Sequence, residues 1–142
     1  MTAAPIQIVS GDVLPAYPYL WLWQRDRGEE AGRKERPVCV AIVARDGGGL
    51  THLAILAISG TPPNADQKAI ELPALEIRRI GLRAQDRAWI VVSEYNYDCL
   101  ERSFVLEPPR EPLKRLSPGF LKVVAQALRP VMATAAGRVD RV

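Results

Sequence analysis

Pro37-Val38-Cys39-Val40-Ala41-Ile42-Val43-Ala44 is a continuous apolar run, and after Gly47-Gly48-Gly49 a second follows, His52-Leu53-Ala54-Ile55-Leu56-Ala57-Ile58-Ser59. Two strand-length apolar runs joined by a glycine turn read as a buried antiparallel hairpin. Around it the chain is mostly strand-like. Residues 6–9 and 13–23 read as β-rich, with Tyr17, Tyr19, Trp21 and Trp23 at period two forming one aromatic face. Pro15 and Pro18 push the first half of that segment toward an edge or a bend. Lys68 to Leu72 alternates as a half-exposed strand, Ala88 to Ser93 is a buried one, and Phe104 to Leu106 is short enough to be a last one.

Two helices are expected. Pro73 to Ile80 is closed by Gly81 as a left-handed cap, with Leu82 packing back on Ile77. Ser117 caps a second, with Pro118 at its first position and Phe120, Leu121, Val123, Val124, Ala127 and Leu128 on a broad apolar face. Pro130 is expected to end it, and the small and charged residues beyond to fray. Strands without βαβ alternation, plus one packed terminal helix, make the fold mainly β: a small antiparallel barrel with one short helix and a C-terminal helix. Val38, Val40, Ile42, Ile55, Ile90 and Val92 are expected to share its core.

The 142 residues suit a single domain, 1–142, with a barrel core over about residues 6–106 and the helix over about 117–130. A net charge of +3 leans mildly toward anionic partners and does not demand nucleic acid. Cys39 sits in an apolar strand and Cys99 in a more polar segment, without CxxC spacing, which argues against a disulfide scaffold and against a zinc site. The first positive charge is Arg25, so the start lacks the basic stretch of a secretory signal, and no apolar run approaches the roughly 20 residues that span a bilayer. A cytoplasmic location with no membrane partner is expected.

Several chemistries are starved of parts. The only histidine, His52, opens a strand after the glycine turn and has no G-x-S-x-G elbow to serve. One His and two distant Cys cannot assemble a metal site, and the glycine turn lacks the Gly-Lys-Ser/Thr of a phosphate loop. Neither metal nor cofactor is therefore expected. Glu94 and Asp98 are either an acid pair or, more simply, a solvated acidic rim.

Phosphate recognition is better supplied. Arg36 stands at the mouth of the first strand of the hairpin, and the second empties into Ser59-Gly60-Thr61-Pro62-Pro63. Arginine offers a permanently charged fork matched to phosphate oxygens, and neighbouring strands can hold fork and hydroxyl on one wall. The bland alternatives are a flanking surface charge at Arg36 and a turn residue at Ser59. Between Arg25 and Arg36 lie five basic and four acidic residues with Gly28 and Gly32, a long polar loop of the functional kind. Its Arg33 and Lys34, together with Thr61 and Arg83, are candidate RNA backbone contacts. Trp21 and Trp23 read either as core or as platforms for bases.

The order Gly11-Asp12-Val13, Arg36-Pro37, Ala57-Ile58-Ser59, Glu71-Leu72-Pro73, Gly81-Leu82 and Trp89 to Glu94 resembles the PemK/MazF-like toxin family over roughly residues 8–100. That resemblance implies an SH3-like barrel and a homodimer. It also implies an endoribonuclease that cuts single-stranded RNA without a metal until an antitoxin protein blocks it. Arg36 then matches the family's active-site arginine, and Ser59 falls where an active-site threonine is usual. Two segments depart from the pattern: Ala57-Ile58-Ser59 replaces a Pro-Ile-Thr-like triplet, and Tyr17 to Trp23 is unusually aromatic. A non-catalytic barrel of the same fold, binding protein or nucleic acid, is the alternative.

Overall fold

The computed structural model describes residues 7–82, 86–106 and 113–142. Its strands are β1 (Asp12–Tyr17), β2 (Arg36–Arg45), β3 (Thr51–Ser59), β4 (Ala69–Glu71), β5 (Trp89–Val91), β6 (Tyr95–Cys99), β7 (Lys114–Arg115) and β8 (Arg138–Asp140). The helices are α1 (Leu22–Asp26), α2 (Ala74–Ile80) and α3 (Pro118–Met132). The strands form one curled, mainly antiparallel sheet, a half-barrel, ordered β4-β5-β3-β2-β1-β7. Strand β3 also pairs β6 along His52–Ile55, and β8 adds to β6 in parallel.

The hairpin is the spine. Val38 stands opposite Ala57, Cys39 opposite Leu56 and Val40 opposite Ile55, and at the turn Asp46 Oδ1 accepts from the amides of Gly48 and Leu50. Both faces of these strands are covered, which is why their sequence runs apolar without alternating. Cys39, Ala41, Ala54, Leu56 and Ile58 face one cluster with Ile90, Val92, Leu116, Val124 and Leu128. Val38, Val40, Leu53, Ile55 and Ala57 face the other, with Leu14, Tyr17 and Tyr19. The single core expected of Val38, Val40, Ile42, Ile55, Ile90 and Val92 is thus two layers, with Val38, Val40 and Ile55 in one and Ile42, Ile90 and Val92 in the other. A bulge between Val40 and Ile42 advances the pleat by one residue, so Ala41 and Ile42 both pack toward the first cluster.

The Gly81 cap is in place: φ is +77°, and Leu82 N–H donates to Ile77 O at 3.1 Å. Ser117 Oγ accepts from the Phe120 amide, and α3 buries Val124 and Leu128 completely. Cys39 is buried as expected, its thiol pushed up to about 12 by burial first and by Asp12 second.

Five expectations on local structure are corrected. The aromatic strand stops at Tyr17, and the chain turns so that Leu22–Asp26 is helical. Residues 7–9 are not a strand, although Ile8 is buried. Residues 104–106 are not one either, and Phe104 is 89% exposed. Helix α3 passes through Pro130 to Met132, because a proline this close to the end costs one hydrogen bond on an exposed face. The tail does not fray: Arg138–Asp140 pairs with β6, and Arg141 donates to Pro18 O at 2.7 Å and Asn96 Oδ1 at 3.1 Å.

Candidate nucleic-acid interface

Strand β6 and Glu94 just before it place three polar side chains inward at period two, and each ties down the stretch from the end of β1 to the start of α1. Asp98 accepts from the Tyr17 hydroxyl at 2.9 Å and from Ser103 Oγ at 2.8 Å. Asn96 accepts from the Leu20 amide and donates to the Leu20 carbonyl. Glu94 accepts from the Leu22 amide at 2.8 Å and the Tyr19 hydroxyl at 3.3 Å. Glu94 and Asp98 are therefore buried, not a solvated rim. They act as anchors, because a buried carboxylate persists only when donors surround it.

Glu94 supplies what the first turn of α1 lacks, an acceptor for its free amide. Burial, the largest influence, raises its pKa, while the Leu22 and Tyr19 donors lower it. A carboxyl raised in the folded state binds more protons there than in the unfolded chain. Stability should therefore fall as pH climbs from the ordinary glutamate range to the raised value. Urea unfolding against pH should show that slope in wild type and lose it in Glu94→Gln. An identical slope in both proteins would refute the assignment.

So anchored, the segment presents its rings toward the loop that leads into β2. Tyr19 and Trp21 meet edge to face with centroids 4.9 Å apart, and the Arg36 guanidinium lies 4.9 Å from the Trp21 ring centre. Arg33 and Arg27 lie 4.9 and 5.2 Å from the ring of Trp23, which is 41% exposed. Gly32 brings the loop back: a Cβ there would collide with the Pro18 carbonyl and sit 2.8 Å from Tyr19 O.

These residues enclose a cavity of about 220 Å³ walled by Tyr19, Trp21, Trp23, Gln24, Arg33, Lys34 and Arg36. Arg36 is half-buried, and its Nε is buried without a hydrogen-bond partner among the described residues. Burial draws its pKa down from the ordinary arginine value, with Tyr19 opposing. Burial, then Glu94, holds the Tyr19 phenol well above its usual range, so it stays a protonated donor. A guanidinium without an ion-pair partner among the described residues, in a partly dry, aromatic-walled cavity, has the chemistry to meet an anion that also carries a flat ring system.

The sequence-derived site is only partly assembled. Arg33, Lys34 and Arg36 come together. Ser59 and Arg36 stand two residues beyond the last hairpin pair, Val38 opposite Ala57, but Ser59 is not in the cavity wall. Its Oγ accepts from the Thr61 amide at 3.0 Å, and Thr61 is exposed and outside the cavity. Arg83 lies outside the described residues. Arg87, four residues on, is forked onto Glu71 with both bonds at 2.9 Å. His52 is held between Asp46 at 2.7 Å and the Tyr97 hydroxyl at 2.6 Å. Sequence reading left Trp21 and Trp23 between core and platform; they are cavity walls. Gln24 went unnoticed, because its burial depends on the Trp21 amide donating to Oε1 at 2.9 Å.

Among the described residues no three His, Cys, Asp or Glu side chains gather as a metal site, and no helix is long and apolar enough to cross a membrane. No protein-family model matches this chain, and no curated protein or solved structure matches it either.

Proposed function

We propose that this chain is a PemK/MazF-like protein that seats single-stranded RNA in the Arg36 cavity and cuts it without a metal. One observation carries the reading: a half-buried arginine with an unpartnered Nε, in a cavity shared with two more cations and three aromatic rings. Phosphate suits the fork, and bases suit the rings. The cavity is smaller than the roughly 300–1,000 Å³ that encloses a drug-sized ligand, which favours one unit of a polymer over a free small molecule.

RNA brings its own nucleophile. The 2′-hydroxyl oxygen bonds to the adjacent phosphorus as the bond to the 5′-oxygen breaks, leaving a 2′,3′-cyclic phosphate and a 5′-hydroxyl. Among the described residues the cavity wall contains no histidine or carboxylate, and in this reading the 2′ proton leaves to solvent and solvent protonates the departing oxygen. Arg36, whose type does not deprotonate in proteins, serves as fixed positive charge against the non-bridging oxygens.

Ser59 favours a second reading, a non-catalytic barrel that binds RNA, since its hydroxyl caps the Thr61 turn and lies away from the cavity wall. Incubating pure protein with single-stranded RNA in EDTA separates the two. Defined cuts ending in cyclic phosphate support cleavage. Salt-sensitive binding without cuts supports the second reading, and neither cuts nor binding rejects both. A cytoplasmic location, an antitoxin partner and a homodimer belong to the same proposal. Light scattering that gives a monomer mass at micromolar concentration would count against the homodimer.

A further inference from the structure

Arg33 shares the cavity wall with Arg36 but is not free. Its Nε donates to Glu29 Oε1 at 2.8 Å and its Nη2 to Glu29 Oε2 at 2.7 Å, a two-pronged pair four residues apart. The paired guanidinium still lies 4.9 Å from the centre of the exposed Trp23 ring. The other cations of the wall differ: Arg36 Nε is unpartnered, and no ion pair to Lys34 is seen among the described residues. One carboxylate, itself outside the cavity wall, therefore occupies the fork of one of the three wall cations, in the geometry a phosphate would adopt.

We propose that the Arg33 fork is a second phosphate subsite, next to the one at Arg36, and that the Glu29 carboxylate fills it in the free protein. The inference rests on the RNA reading of the cavity and extends it to a strand path. One phosphate sits on Arg36, a neighbouring one displaces Glu29 from Arg33, and Trp23 beside Arg33 stacks a base. Glu29 is an internal competitor, so the free protein binds RNA more weakly than its cations alone would allow. The competitor is mild: the pair is largely exposed, and exposed ion pairs hold their partners weakly.

The test is a double-mutant cycle on affinity for a single-stranded RNA carrying 2′-O-methyl groups, which binds but cannot be cut. Glu29→Gln should bind roughly two- to five-fold tighter than wild type. Arg33→Ala should flatten the log–log salt slope by about 0.7, the contribution of one phosphate on a single strand, whereas Glu29→Gln should keep the wild-type slope because the same phosphate reaches Arg33 in both. The decisive arm is Arg33→Ala, in whose background Glu29→Gln should gain nothing. An equal gain in both backgrounds would mean Glu29 acts only as a distant negative charge, and the subsite would be overturned. Affinity that depends on Arg36 but does not respond to Glu29→Gln also overturns the subsite while leaving the RNA reading standing. Wild-type binding that Arg36→Ala does not weaken would remove the RNA reading of the cavity, and the subsite with it; so would no binding by wild type and Glu29→Gln alike.

Discussion

Arg36→Ala should slow RNA cleavage by about 100- to 1,000-fold, some 3–4 kcal/mol of transition-state stabilisation, while the protein stays folded. The size follows from place. The guanidinium is half-buried, so its field is less screened than that of a surface arginine, and no carboxylate neutralises it among the described contacts. The fold should survive, because the substitution also removes an unsatisfied buried Nε and forfeits only a cation–π contact with Trp21. Ser59→Ala should cost less, since a neutral hydroxyl makes the weaker hydrogen bond and lies outside the cavity wall. His52→Ala should leave the rate nearly unchanged. It sits seven residues from Ser59 along β3, about 23 Å of extended chain. Initial rates on one defined RNA, with circular dichroism of each variant, check all three.

The largest stability effect is expected at Leu128. It is completely buried on α3, in the cluster that holds Cys39, Ala41, Leu56 and Ile90. Leu128→Ala removes the apolar transfer energy and leaves a cavity under a helix that rigid strands cannot follow inward, a loss of about 2–5 kcal/mol. That is a large part of the about 5–15 kcal/mol that holds a domain folded. Val123→Ala, on the same helix but at a side chain 50% exposed, should change stability by about 0.5 kcal/mol or less. Urea midpoints at unchanged m-value measure both. Similar losses at the two positions would show that α3 is not docked through Val124 and Leu128.

What the residues announced, and what they did not, divides by the range of the forces involved. The hairpin was legible because Val38–Val43 and Leu53–Ile58 are apolar throughout and a glycine turn joins them. The α2 cap was legible because Gly81 and Leu82 act on their own helix. Arg36 was legible as a cation beside a buried strand. Helix α1 was not, since the acceptor at its first turn is Glu94, 72 residues away. Until Leu22 meets that carboxylate, Tyr17 to Trp23 carries only the alternation of a strand. Strand β8 is likewise invisible locally: three residues are ordered by β6 and by the grip of Arg141 on Pro18 and Asn96. The same distance hid the cavity. Its cations come from the loop before β2 and from the first residue of β2, and its rings come from a segment whose direction Glu94, Asn96 and Asp98 set. Glu94 and Asp98 looked like surface acids because their donors, the hydroxyls of Tyr19 and Tyr17, lie 75 and 81 residues off.

The central claim, that RNA enters the Arg36 cavity, is tested most directly by the indole N–H resonances of the three tryptophans during titration with 2′-O-methyl single-stranded RNA. Trp21 and Trp23 wall the cavity, while Trp89 lies buried on β5 outside it. The account predicts that the Trp21 and Trp23 signals shift together and saturate while Trp89 stays in place, and that Arg36→Ala weakens the titration. Trp21 and Trp23 signals that do not move while RNA binds would contradict it.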